Sequence, residues 1–494
     1  RVYSGVGGFP LAEYSGDPAF NIPPPGCFPG GGCGERFATA ILLMDLDGDS
    51  VSEFIAGAPG GWGVFGGTLT AIGRLVLVDF GSAPLTYLPP VAGSYFGNVL
   101  ARGGDLDADG FEDLLVSSPG YDIPGAGFGN TGAAWALAGP SLGSVLQFVS
   151  GIQAGEFFGG TEFDGGLAGL GDVDGDGNED WAVASPKRFN GPLSGAGLVE
   201  IRSGLDGSVL QQWVGTSQFQ VLGKKLVALG DVDGDGPGDV AFCDNPIPVF
   251  NPAPTTLYVA SGATGNVLYT WSSPANLGVV IDLGRVRDVT GDGRDEILLS
   301  HIPPTYPVPP LERVSVLSGA NGALLHQITE SSGTSLGYEV SGAGDLNGDG
   351  LGDFLFSWQW APVAGTSLTG KVLVYAARNF SVAGTPTVGG TLALSLKVPR
   401  WPNRPFALAF SQGNAGFLLG PYWIPVSPDP LFFATLGAGV GGTLNASGQG
   451  TFTIPIPNDP SFHGTTFYAS GGVFETSPAF TIRTILTAAT ISIP

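Results

Sequence analysis

The chain is poor in the residues on which most enzymes and disulfide scaffolds depend. It has three His, three Cys and one Met in 494 residues, and only 13% of positions are charged. His301, His326 and His463 stand far apart, and no HExxH, GxSxG or phosphate-loop pattern occurs, so zinc-protease, α/β-hydrolase and nucleotide-hydrolysing chemistry lack their residues. His326, in ALLHQI, reads as a packed strand residue. Three cysteines cannot staple a chain of this size. Cys27 and Cys33, in CFPGGGC, can close only a short loop as a disulfide in an oxidising compartment, while Cys243 lies in an apolar strand and reads as a buried thiol. No apolar run reaches the roughly 18 residues that would cross a membrane as a helix. Long segments rich in Ala, Glu, Lys, Leu and Arg are also missing, which argues against a helical protein.

What stands in their place is 83 Gly and 40 Pro among 43% hydrophobic residues, a composition of turn-rich β structure with ample core. The net charge of −24 argues against nucleic acid as a partner. That charge is concentrated. Positions 1, 3, 5 and 9 of six short stretches hold 22 of the 43 acids, leaving 21 acids against 19 Lys and Arg elsewhere, so the remaining surface is nearly neutral. A surface with so few charges favours coverage by another molecule, copies of the same chain included. The chain opens at Arg1 without Met or an apolar leader, which reads as a processed export signal or a fragment start.

The six stretches are DLDGDSVSE, DLDADGFED, DVDGDGNED, DVDGDGPGD, DVTGDGRDE and DLNGDGLGD. They begin at Asp45, Asp105, Asp172, Asp231, Asp288 and Asp345, a repeat of about 60 residues. Position 3 is Asp47, Asp107, Asp174, Asp233, Thr290 and Asn347; position 5 is Asp49, Asp109, Asp176, Asp235, Asp292 and Asp349; position 9 is Glu53, Asp113, Asp180, Asp239, Glu296 and Asp353. Such acids repel one another unless a cation lies between them. Calcium takes six to eight oxygen ligands, and carboxylates at 1, 3, 5 and 9 supply most of them if the chain curls around one centre. A backbone carbonyl from position 7 adds another, from Val51, Phe111, Asn178, Pro237, Arg294 or Leu351; Pro237 fits because it lacks only the N–H. An EF-hand is excluded, since its position 12 needs an acid and here holds Ala56, Val116, Val183, Phe242, Leu299 and Phe356. Up to six calcium ions would bring −24 to −12. Loops five and six, with Thr290 and Asn347 at position 3, should bind more weakly.

Each repeat carries an aromatic or Leu before Gly (Phe96-Gly97, Phe158-Gly159, Leu222-Gly223, Leu277-Gly278, Leu336-Gly337), a short strand, the acidic loop and a second apolar strand. Early units add Ala58-Pro59, Ser118-Pro119 or Ser185-Pro186. Two more strands follow, joined by a tight turn such as that in GLVEIRSGLDGSVLQQW, where Ser203-Gly204 and Gly207 are expected to supply turn conformations. Four antiparallel strands repeated without helices suit a β-propeller. Over residues 36 to 378 the sequence resembles the FG-GAP repeat family, the propeller repeats of integrin α-subunits and many bacterial secreted proteins. The fold expected is all-β, with six blades, or seven as in integrins. Later units depart from the family pattern at the Gly-Ala-Pro element, as in AFCDN and ILLSH.

Three regions are therefore expected: an N-terminal closing hairpin and Pro/Gly-rich loop over 1–35, the calcium-binding propeller over 36–380, and a β-sandwich over 381–494, where alternating strands are separated by Gly, Pro and Asn. The last is similar to C-terminal modules of some bacterial exported proteins, which implies attachment or assembly. RVYSGVGGFPLAEY (1–14) aligns with the outer hairpins EIRSGLDGSVLQQW, YVASGATGNVLYTW and SVLSGANGALLHQI. It can close the ring beside 371–375 within one molecule or be donated to a neighbour. The function read from these features is a secreted, calcium-stabilised structural subunit of a surface or filamentous assembly. An adhesive propeller binding a glycan or protein is the alternative, through Pro-rich loops 245–256 and 300–312. An enzyme with a site hidden in the channel is a third.

Overall fold

The computed structural model describes residues 2–3, 10–12, 36–60, 62–65, 68–71, 73–79, 84–89, 95–124, 129–161, 166–246, 254–273, 279–302, 312–330, 336–346, 350–358, 371–375, 380–383, 387–413, 417–419, 422–424, 426–437, 439–475, 481–485 and 489–493. Cys27, Cys33, Leu277-Gly278, Asn347, Asp349 and most of both Pro-rich loops lie outside them.

The repeat becomes six successive antiparallel meanders among the described residues. The third is typical: Leu167–Gly171 pairs with Asp180–Ser185, which pairs with Leu198–Arg202, which pairs with Val209–Val214. The second strand, DWAVAS, is buried along its whole length because both of its faces meet a neighbouring blade. Trp181 and Val183 pack with Leu115 and Ala134 of the second unit, whereas Ala182 and Ala184 pack with Leu226 and Phe242 of the fourth. The outer strand VLQQWV has no fully buried residue, as the rim of a blade requires. Equivalent cores join units one to two, four to five and five to six. This is a β-propeller, in which each blade buries its faces on the next. Emptying one such site, as in Trp181→Ala, removes a side chain that is 0% exposed, a change that costs about 3–5 kcal/mol.

Three units depart from or complete the expected plan. In unit one a hairpin, Trp62–Phe65 with Thr68–Ala71, is inserted between the second and third strands. Unit six has three strands, Leu336–Gly344, Asp353–Trp358 and Lys371–Tyr375, and the last pairs only with the second among the described residues. The N-terminal segment does form a hairpin, Val2–Tyr3 with Pro10–Ala12, whose described pairing is with itself.

The C-terminal region packs two sheets on one core. Phe380–Ala383, Thr391–Lys397 and Gln449–Pro455 form one sheet; Gly441–Thr443, Pro405–Ser411, Thr465–Glu475, Thr481–Ile485 and Ala489–Ile493 form the other. Leu394 and Leu396 of the first meet Leu408, Val473 and Ile491 of the second, as in a sandwich. A helix, Pro430–Gly437, interrupts the strands that the alternating pattern leads one to expect throughout. Its start is fixed by Asp429, whose Oδ1 accepts the Phe432 amide at 2.9 Å, with Pro430 at a position that needs no donor.

Candidate metal centres

Every acidic loop joins the first strand of a blade to the second, so all of them lie at one end of the propeller. Their conformation is set by carboxylates that accept backbone amides. In loop three Asp172 takes Gly175 N at 2.7 Å and Gly177 N at 3.0 Å, Asp174 takes Asp176 N at 3.1 Å, and Asp176 takes Asn178 N at 2.8 Å. These bonds curl the loop on itself, and Gly177 at φ +97° supplies a left-handed step that few other residues accept. Loop one makes the same step with Ser50 at φ +69°.

Position 9 has a second task. One of its oxygens accepts the position-2 amide in all six loops: Leu46 to Glu53 at 2.6 Å, Leu106 to Asp113 at 2.7 Å, Val173 to Asp180 at 2.8 Å, Val232 to Asp239 at 2.8 Å, Val289 to Glu296 at 2.7 Å and Leu346 to Asp353 at 2.8 Å. In units two to four the other oxygen takes an amide from the outer hairpin, Gly139, Gly204 or Gly262. A buried carboxylate therefore staples the loop to its own blade.

Three carboxylate oxygens per loop lie within 4.8 Å of one another: Asp45, Asp47 and Glu53; Asp105, Asp107 and Asp113; Asp172, Asp174 and Asp180; Asp231, Asp233 and Asp239; and Asp288, Asp292 and Glu296. Oxygens held at about 2.3–2.6 Å from one ion have this spread, so the donor set fits a hard divalent cation. Asp49, Asp109, Asp176 and Asp235 stand outside these groups. The first three accept the position-7 amide of Val51, Phe111 or Asn178, and Asp235, followed by Pro237, accepts Ser261 Oγ at 3.3 Å instead. In loop five, where Thr290 holds position 3, Asp292 joins the group. In loop six Asp345 accepts Gly350 N at 2.9 Å, and Leu351 is buried.

Position 7 is more than a carbonyl donor. The Phe111 ring lies over Gly48 of loop one, Asn178 Nδ2 donates to Leu106 O of loop two at 2.7 Å, and the Arg294 guanidinium reaches Gly234 of loop four. At position 8 the Glu179 amide donates to Asp105 O at 3.0 Å, and Gly352 N to Asp288 O at 2.8 Å. Each of these loops thus leans on the loop before it. Variation at position 7 hides this role from a reading of one loop at a time.

Burial pushes the carboxyls of Asp113, Asp180 and Asp239 up to about 6 and that of Glu296 to about 8, and neighbouring acids add to the rise. A carboxyl whose folded value lies above its unfolded value of 3.8 or 4.5 contributes stability at low pH that is lost as pH rises through the folded value. Demetallated protein is therefore expected to melt roughly 5 °C or more lower at pH 8 than at pH 5. Metal-loaded protein should not show this loss, because the ion favours the ionised form. Calorimetric scans at the two pH values check this, and a demetallated protein more stable at pH 8 refutes it.

The other residues singled out by sequence have packing roles. Cys243 is a buried free thiol whose ionisation burial pushes up to about 12. His301 is buried with its ring 5.6 Å from that of Trp271, and His326 lies in the outer strand Leu324–Glu330.

A stack of antiparallel meanders, each with an acidic loop at the same end, defines a propeller whose loops cluster carboxylates as a divalent cation would require. Residues 96–137 match the FG-GAP repeat model, and the repeat region is an integrin-α-like FG-GAP β-propeller. Its relatives include integrin alpha-4 of Xenopus laevis, 30% identical over 161 residues (31% of this chain, 14% of that protein). Integrin alpha-PS2 of Drosophila melanogaster is 32% identical over 168 residues (33% and 11%), and integrin alpha-V of Gallus gallus 27% over 217 residues (41% and 19%). The matched segment spans less than a fifth of each relative. Among the described residues no helix is long and apolar enough to cross a membrane.

Proposed function

We propose that this protein is an extracellular adhesion propeller, stabilised by calcium in its acidic loops, which binds a glycan or protein ligand without catalysis. The observation that carries the reading is a division of labour between the two ends. At one end the acidic loops and outer-hairpin turns are consumed in mutual hydrogen bonds. At the other, the loops joining second to third strands and successive blades enclose a cavity of about 600 Å³ lined by Phe189, Phe219, Lys187, Lys224 and Asn245. Apolar pockets with a few convergent polar groups are where ligands bind. Calcium is favoured over magnesium because these loops offer a nearly all-protein oxygen set. The ligand set assigned is positions 1, 3, 5 and 9 with the position-7 carbonyl, in six loops, the fifth and sixth the weakest.

The full chain, immobilised in calcium, should retain one or more members of a panel of matrix proteins and surface glycans. Phe189→Ala and Phe219→Ala should reduce that retention about ten-fold or more, since a buried aromatic anchor contributes at least about 1.4 kcal/mol. Retention unchanged in both variants would overturn the assignment of this end.

A second reading, a structural subunit of an assembly, is favoured by the edge strand Lys371–Tyr375, where Val372 and Val374 are 65% and 58% exposed. Such an edge accepts another strand. The N-terminal hairpin is its proposed partner, within the molecule or from a neighbour. Deletion of residues 1–14 that leaves both melting and assembly unaffected excludes both routes.

A further inference from the structure

Five of the chain's 19 Lys and Arg residues gather around acidic loops five and six: Arg285, Arg287, Arg294, Lys397 and Arg400. Their grouping crosses the boundary between propeller and sandwich. Lys397 and Arg400 belong to the end of the sandwich strand Thr391–Lys397 and the turn after it. The Lys397 side chain packs on Gly291 of loop five, and Arg400 packs on Gly350 of loop six, its Nη1 3.1 Å from Asp345 Oδ2. Between the loops and this turn lies a cavity of about 490 Å³, lined by Arg285, Arg287 and Arg400 together with Asp288, Asp295 and Asp345.

The donors in this cavity are not used up. Arg285 and Arg287 are alternate residues at the end of the inner strand and point to one side. Arg285 Nε is paired with Asp295, and Arg400 with Asp345, so each uses a small part of a guanidinium that carries five N–H donors. Arg287 has no ion pair among the described residues. The charges balance only while Asp288 and Asp345 are bare. A divalent cation in each loop adds two positive charges beside Asp288 or Asp345, so the balance of the cleft tips towards positive.

We propose that this cleft binds a tetrahedral oxyanion, a sulfate or phosphate group, between Arg285, Arg287 and Arg400. A carboxylate has two oxygens, whereas a tetrahedral anion offers an oxygen to each of three guanidiniums arriving from two domains. The site rests on the metal reading of loops five and six. It links the sandwich to the propeller through the anion as well as through the Arg400–Asp345 pair. The group comes either from a free inorganic anion or from a sulfated polysaccharide, which carries many copies of it.

Titration calorimetry of the calcium-loaded full chain with sodium sulfate, at ionic strength balanced with chloride, tests the site. Saturable binding is expected, weakened about ten- to a hundred-fold in Arg287→Gln, because one charge-assisted donor is lost. Arg287 is no metal ligand in this scheme, so the calcium-dependent rise in melting temperature should stay intact in that variant. Sulfated dextran binding far more tightly than sulfate identifies a polysaccharide as the source, and equal affinity per group identifies the free anion; either outcome supports the site. A calcium effect on melting with no difference between sulfate and chloride overturns the oxyanion site and leaves the metal reading standing. Sulfate binding that persists unchanged in Arg287→Gln also overturns it. No calcium effect on melting removes the metal reading, and this site with it.

Discussion

In excess EGTA, with metal removal verified by elemental analysis, the propeller is expected to melt on the order of 10 °C below the same protein in saturating calcium. A ligand that binds only the native state stabilises it by about 2.7 kcal/mol at a hundred-fold excess over Kd, and two such sites give about 5 kcal/mol. Five loops hold three carboxylate oxygens within 4.8 Å, so more than two sites should contribute. Removing the ion also leaves buried acids such as Asp180 and Glu296 facing the other acids of their own loops. Asp174→Ala should weaken one site, whereas Ala108→Gly, at a loop residue with φ +59°, should leave affinity intact or improved. Identical melting in EGTA and calcium would sink the metal reading.

The second large effect is expected at Gly204. A β-carbon there would lie 1.9 Å from the carbonyl oxygen of Glu179, in the acidic loop of the same blade. Gly262 and Gly319 hold the same place in the next two blades, 2.1 Å from Gly238 O and 1.9 Å from Asp295 O. Backbone cannot swing aside as a flexible side chain can, so Gly204→Ala should destabilise by about 3 kcal/mol or more. Gly177→Ala is the control. Its φ of +97° makes it strained at about 1–2 kcal/mol, but no atom lies within 4 Å of the added carbon. Denaturant unfolding of both variants separates crowding from backbone strain, and equal losses would show that the close approach carries no energy of its own.

Gly204 also marks a limit of what the sequence discloses. Gly204 and Gly207 both belong to the expected turn, Gly207 at φ +74°, but Gly204 has no positive φ and is glycine because a carbonyl of the acidic loop occupies the space of a side chain. Local features were legible: the acid spacing marked the turns between first and second strands, and DWAVAS and VAFC read as apolar second strands. Non-local ones were not. Nothing in DVDGDGNED indicates that Asn178 reaches back to Leu106, since the partner lies one blade earlier. The position-9 acids were legible as members of the acidic clusters but not as staples to Gly139, Gly204 and Gly262. The helix Pro430–Gly437, PLFFATLG, is too uniformly apolar to display a helical period. The arginine cleft joins Arg285 and Arg287 to a turn in a different domain, so only the folded chain assembles it.

The backbone bonds from one acidic loop to its predecessor, Glu179 to Asp105 and Gly352 to Asp288, give the row of loops the character of a one-dimensional lattice. Energy shared across a boundary is reciprocal, so an ion that orders loop three tightens loop two by the same factor that loop two returns. A calcium titration of the intact array should then be sigmoid even though no two ions share a ligand. Its steepness would count how many blades act together, and a lesion in a middle loop would split the array into two shorter cooperative runs.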